Sequence, residues 1–242
     1  MKKIEVLFPE VANLYGDLWN VTYLQRCLGQ AEIVNTDLKT EPLFVREAPD
    51  LIFMGSVTEL GQRLAAEALR PYKARLEALI EGGTIFLITG NACEVFWSRI
   101  ESDEAPTVEG LGLFPYVAKL RMMNRFNGYF LGTFQGESKI VGFKSQFGHT
   151  YGNLAPQDEP LFQGIRGVGR NPEDKFEGIR RNNFFATYLT GPLLVMNPPF
   201  TRYLLDLMGE KDAPIACEEA ARASYELRIK EFSQENRACV YH

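Results

Sequence analysis

The chain has 242 residues, 45% of them hydrophobic and 12% aromatic, enough apolar material for one sizeable α/β core and too much for long disorder. Its 26 basic residues are mixed among 31 acidic ones, for a formal charge of −5, which excludes an electrostatic footprint for nucleic acid. Cys27, Cys93, Cys217 and Cys239 show no CxxC spacing and only His149 and His242 could join them, so a zinc site or a disulfide framework is not expected and reduced thiols are.

At the start, Glu5, Pro9 and Glu10 interrupt the apolar run after Lys2 and Lys3, so no export signal is read, and no run of ~20 apolar residues would span a membrane. The expectation is a soluble cytoplasmic protein with one domain over 1–242 and no cofactor. Ile4 to Phe8 reads as a first strand, followed by the turn Asn13-Leu14-Tyr15-Gly16-Asp17. Asp17 is placed to cap a helix whose Leu18, Val21, Leu24 and Leu28 share a face and which Gly29 stops. Ala31 to Thr36 and Asp50 to Met54 are the next strands, the second ending at Gly55-Ser56-Val57-Thr58-Glu59. Two helical pieces follow, Glu59 to Leu69 and Pro71 to Glu81; Pro71 lacks an N–H and suits a first turn.

Gly83 to Trp97 reads GTIFLITGNACEVFW. Ile85 to Ile88 fits a strand buried on both faces, Thr89-Gly90-Asn91 a sharp turn, and the remainder a helix. In an α/β fold such a turn presents its leading residue, here Thr89, at the carboxyl end of the sheet beside the free N–H groups of the next helix.

Further on come Glu109-Gly110-Leu111-Gly112-Leu113 and Asn124-Arg125-Phe126-Asn127-Gly128. Tyr129 to Phe134 and Lys139 to Phe143 have hairpin character and lead into Gly142-Phe143-Lys144-Ser145-Gln146-Phe147-Gly148-His149-Thr150-Tyr151. Gly164 to Glu177 reads as a loop region, and its Gly167-Val168-Gly169 carries no phosphate-binding pattern. Asn183 to Leu189 is another strand, running into Thr190-Gly191-Pro192-Leu193-Leu194-Val195-Met196-Asn197-Pro198. Thr201 to Met208 and Ala216 to Phe232 finish as helices, the last within about 214–236, with Ala216, Ala220, Ala223 and Leu227 on one stripe that packs on the sheet.

Taken together, these segments resemble the class I glutamine amidotransferases, in the branch typified by cobyric acid synthase and by the glutaminase subunit of lipid II isoglutaminyl synthase. The likeness runs over nearly the whole chain, from Asn13-Leu14-Tyr15-Gly16-Asp17 to Thr190-Gly191-Pro192-Leu193-Leu194. It implies an α/β, flavodoxin-like fold with a mostly parallel central sheet flanked by helices. It also implies that Thr89 stands at the family's nucleophilic cysteine and Thr190 at its basic histidine. Gly55, Ser56, Val57 and Gly90 fall in the oxyanion turns, where two of the family's three glycines have become Ser56 and Val57. Arg125 falls at the place of an arginine that holds substrate glutamine, while Lys144, Gln146 and His149 stand where the family has glutamate, histidine and arginine. Gln146 thus joins Arg125 among the substrate-binding positions.

Glutamine hydrolysis needs a thiolate, a base and N–H donors for the oxyanion. With threonine at both reacting positions, the expectation is a catalytically degenerate copy, a structural or regulatory partner of a Mur-ligase-like amide synthetase in cell-wall precursor metabolism. Two alternatives stay open. One is an active amidotransferase with Cys93 as relocated nucleophile and His149 as base, and the other is a sensor that binds glutamine or a related amino acid through Arg125.

Overall fold

A computed structural model describes residues 1–123, 125–236 and 239–241; Asn124 and His242, both named above, lie outside the described residues. The first half runs β1 (Lys2–Leu7), α1 (Trp19–Leu28), β2 (Ala31–Thr36), β3 (Leu51–Met54), α2 (Glu59–Leu69), α3 (Lys73–Glu81) and β4 (Ile85–Thr89). Three short strands follow or flank the turn beyond it, β5 (Arg99–Ser102), β6 (Val108–Glu109) and β7 (Val117–Leu120). The second half contributes β8 (Phe126–Phe134), β9 (Ser138–Gln146), β10 (Gly148–Tyr151), β11 (Glu159–Arg166), β12 (Phe176–Arg181) and β13 (Phe184–Thr187). It closes with α4 (Leu193–Met196), α5 (Pro198–Leu207), α6 (Glu218–Phe232) and β14 (Val240–Tyr241).

The main sheet has the order β14-β8-β11-β12-β13-β4-β3-β1-β2, with β9 paired to β8. From β2 to β13 all neighbours are parallel, and beyond β13 an antiparallel wing extends the sheet. A smaller sheet, β10-β7-β5-β6, stands beside it. The central parallel strands β3, β4 and β13 are buried along their whole length and read as near-continuous apolar runs because both faces are covered. On one face Phe86, Ile88, Ile52 and Met54 meet α2 and α3 through Ala65, Leu69, Leu76 and Ile80. On the other, Ile85, Leu87, Leu51 and Phe53 meet Leu24, Leu193, Phe200 and Leu204. Each such side chain contributes about 1.5–3 kcal/mol on burial, so this double layer fixes the positions of the strand ends.

Several sequence expectations shift. The segment after β4 is a 3-10 helix, Gly90–Phe96, because side chains of Asn91 and Glu94 are held from outside and keep the turn tight. The region 164–177 is a loop only between the end of β11 and the start of β12. On α6 the sheet-facing stripe is Ala221, Tyr225, Ile229 and Phe232, whereas Leu227 is exposed. Ala216 lies before the helix, which starts after Cys217 in a left-handed conformation, so the stripe is offset from the one the alanines suggest. No helix among the described residues is long and apolar enough to cross a membrane.

Candidate functional site

The parallel strands β3, β4 and β13 end together, and their following turns, Gly55-Ser56-Val57, Gly90-Asn91 and Thr190-Gly191, meet the Asn13–Asp17 turn that follows β1. Asp17 is wholly buried at this junction. Its Oδ1 accepts from the Thr89 hydroxyl at 2.9 Å and the Gly191 N–H at 3.1 Å. Its Oδ2 accepts from the Ser56 N–H at 3.2 Å and the Tyr15 N–H at 3.3 Å. The capping role expected of the Asp17 side chain is therefore corrected: α1 has no side-chain cap, and Asp17 supplies only its carbonyl to the Asn20 N–H. A carboxylate inside a core needs such donors, and the four come from the turns that the sequence separates by up to 174 residues.

Close packing of these turns explains their glycines. Gly90 has φ +62°, and a Cβ there would lie 2.0 Å from Ser56 Oγ. At Gly55 it would lie 2.5 Å from Asp17 Cβ. Two of the N–H groups that the oxyanion turns would offer a substrate are already used: Ser56 donates to Asp17, and Val57 donates to Asn91 Oδ1 at 3.0 Å while Asn91 Nδ2 returns to the Val57 carbonyl at 2.8 Å.

A cleft of about 200 Å³ opens over this junction, with Tyr15, Ser56, Val57, Gly90, Ser145 and Thr190 in its wall. Thr89 is 0% exposed and does not line it. Thr190 does, with its hydroxyl donating to the Phe143 carbonyl at 3.1 Å. Arg125 lies exposed beside the cleft, its guanidinium 4.7 Å from the Phe147 ring centroid and donating to Ser145, both of which are cleft residues. Gln146, expected at the substrate, is instead buried, with Nε2 donating to the Arg170 carbonyl at 2.7 Å.

Cys93 and His149 are both buried and neither lines the cleft. Burial, with Glu94 and Glu177 nearby, pushes the Cys93 thiol well above its ordinary pKa, the reverse of what a nucleophile needs. The His149 ring packs edge-on against Phe126, centroids 5.0 Å apart.

Behind the cleft lies a polar interior that the sequence reading missed. Lys144 Nζ meets Glu177 Oε2 at 2.5 Å and the carbonyls of Val168 and Gly169, so its charge is neutralised internally. Glu177 in turn accepts from the Thr187 hydroxyl and the Tyr188 N–H. Glu94 accepts from Gln62 Nε2 at 2.6 Å and from the Tyr188 hydroxyl at 2.7 Å, and Tyr188 continues through Thr150 to the Trp97 indole N–H. Burial raises the Glu94 pKa to about 7, against the hydrogen bonds that favour its charged form. Glu94 stands alone among apolar neighbours in ACEVFW, the one sequence signal for this network. Glu177 carried none, because it fell in a segment read as loop.

Comparison with known proteins adds the following. The lipid II isoglutaminyl synthase (glutamine-hydrolyzing) subunit GatD of Staphylococcus aureus is 30% identical over 202 residues, 82% of this chain and 81% of its own length. The subunit of the same name from Streptococcus pneumoniae is 25% identical over 195 residues, 79% of this chain and 74% of its own. Among solved structures, a glutamine amidotransferase superposes with a TM-score of 0.56 at 17% identity, covering 85% of this chain and 98% of that one. Another, from Thermotoga maritima, gives 0.50 at 10% identity, covering 93% and 92%. These two carry the fold alone. No protein-family model matches the sequence.

Two predictions arise from the site. Removing the carboxylate in Asp17→Ala strands buried donors at about 1–3 kcal/mol each, so chemical denaturation should register a loss above about 3 kcal/mol. Thr89→Val removes one donor only and should cost about 1–2 kcal/mol; equal losses in the two variants would deny Asp17 its central place.

The second concerns pH. Because folding raises the Glu94 pKa from 4.5 to about 7, the unfolded chain releases this proton at lower pH than the folded one. Its contribution to stability is fully present below 4.5 and is lost as pH rises through about 7, on the order of 2–3 kcal/mol. Melting temperatures of Glu94→Gln should therefore fall less than those of the unsubstituted protein between these limits, and parallel curves would refute this assignment.

Proposed function

This chain belongs to the family of the GatD subunits of lipid II isoglutaminyl synthase, and from that premise we propose that it is a catalytically silent, glutamine amidotransferase-like subunit. It acts by docking on a Mur-ligase-like amide synthetase in cell-wall precursor amidation. The observation that carries the reading is the convergence of the Thr89 hydroxyl, the Ser56 N–H and the Gly191 N–H on Asp17. Attack on a carboxamide needs a nucleophile about 3–3.5 Å from the carbon and donors free to receive the developing oxyanion. Thr89 does not line the cleft, and the Ser56 and Val57 N–H groups are held by protein acceptors. Thr190, at the position of the base, is a hydroxyl bound to a carbonyl and cannot take a proton as an imidazole does.

The purified protein should release no ammonia from glutamine above background, and Cys93→Ala should leave that baseline unchanged. Thr89→Cys combined with Thr190→His should also stay far below family-level turnover, because Asp17 and Asn91 still hold the Ser56 and Val57 N–H groups. Brisk turnover in the double variant would overturn the account of the turn, and ammonia release that depends on Cys93 would overturn the silent reading itself.

The sensor reading is favoured by one observation, the exposed guanidinium of Arg125 beside the cleft. Isothermal titration with glutamine and glutamate separates the two readings. Weak or absent binding is expected, whereas a Kd tighter than roughly 100 μM that is lost in Arg125→Ala would favour the sensor.

A further inference from the structure

Beside the cleft, α2 and the strands β5 to β7 enclose a larger groove of about 620 Å³. The groove and the cleft share Glu59 and Leu120, so one depression runs into the other. Gln62 forms part of its inner wall, and Gln62 Nε2 donates to the Asn91 carbonyl at 2.9 Å as well as to Glu94. The groove is therefore joined by direct hydrogen bonds to the turn after β4.

Its surface has two properties that a solvated face does not need. Leu60 is 57% exposed and Met122 39% exposed on its walls, with Met123 at 89% adjoining. Such side chains grouped on one surface mark association, and methionine adapts readily to a partner. The charges are also lopsided. Arg63 pairs with Glu67 at 4.0 Å, and Arg70 donates to the Glu109 carbonyl at 2.9 Å, so both cations in the wall are engaged. Glu59, Glu104 and Glu109 have no ion-pair partner among the described residues.

We propose that this groove is the docking site for an amphipathic segment of a partner protein, one that carries lysines or arginines beside an apolar face. The apolar residues would cover Leu60 and Met122, and the cations would meet the three unengaged carboxylates. The inference stands apart from whether the cleft turns over glutamine.

The probe is a fluorescently labelled leucine/lysine peptide of about 14 residues, long enough for an amphipathic helix, with a leucine/glutamate peptide as its counterpart. Anisotropy titration should give saturable binding of the first that weakens about tenfold in Glu104→Lys with Glu109→Lys and also weakens in Leu60→Ser. Glu219→Lys with Glu226→Lys, on the exposed face of α6, changes net charge equally and should leave binding nearly intact. The leucine/glutamate peptide should bind the groove-reversed variant better than the parent. No saturable binding, indifference to Leu60→Ser, or an equal loss in both charge-reversed pairs would overturn the proposal, the last by reducing it to bulk attraction. Melting curves of each variant confirm that the fold is retained.

Discussion

A single buried carboxylate holds the end of the parallel sheet together. Asp17 takes hydrogen bonds from turns that follow β3, β4 and β13, as well as from its own turn after β1. Strands can end in register only if their emerging backbones find acceptors, and a charge buried without water persists only when several donors share it. Each condition is met by the other. The corner where an α/β sheet ordinarily opens to a ligand is here braced from within.

The bracing extends inward through groups that titrate. Lys144 with Glu177 and Glu94 with Tyr188 occupy the interior behind the cleft, each satisfied by further hydrogen bonds. Such pairs add little net stability over apolar packing, but they define one arrangement sharply, because any displacement leaves a charge without its partner. Gln62 and Asn91 carry the same logic outward, linking α2 and the oxyanion turn to the 3-10 helix after β4. Each of these hydrogen bonds fixes the position of the groups around it.

Much of the architecture was legible because it rests on local pattern. The apolar runs of β3 and β4, the bounds of β2 and of α2, and the glycines at the meeting turns all follow from periodicity and backbone freedom. The family resemblance extended this to positions 89 and 190, whose turns the structure joins through Asp17 and Gly191. What escaped was set by distant partners. Asp17 looked like a helix cap because an aspartate before an amphipathic stretch usually is one, and nothing local reveals acceptors shared across the sheet. Lys144 reads only as a departure from the family's glutamate, because its partner Glu177 belongs to β12 and the pairing exists only after the sheet forms. The stripe of α6 was misjudged because small alanines read as a packing face, while the side chains that meet the sheet are Tyr225, Ile229 and Phe232.

The Lys144–Glu177 pair also makes position 144 intolerant of a change made alone. Where the resembling family carries a glutamate, this chain carries Lys144, and returning to glutamate would set two carboxylates face to face in a dry interior. Breaking such a pair costs about 3–5 kcal/mol, a large part of an ordinary domain's margin. A steric rule holds position 90, since any side chain there would collide with the Ser56 hydroxyl. A change at 144 or at 90 alone therefore leaves its partner, Glu177 or Ser56, without a place for its atoms or its charge. Such positions vary in step with their partners or stay fixed, so two neighbours across the fold behave as one unit of sequence.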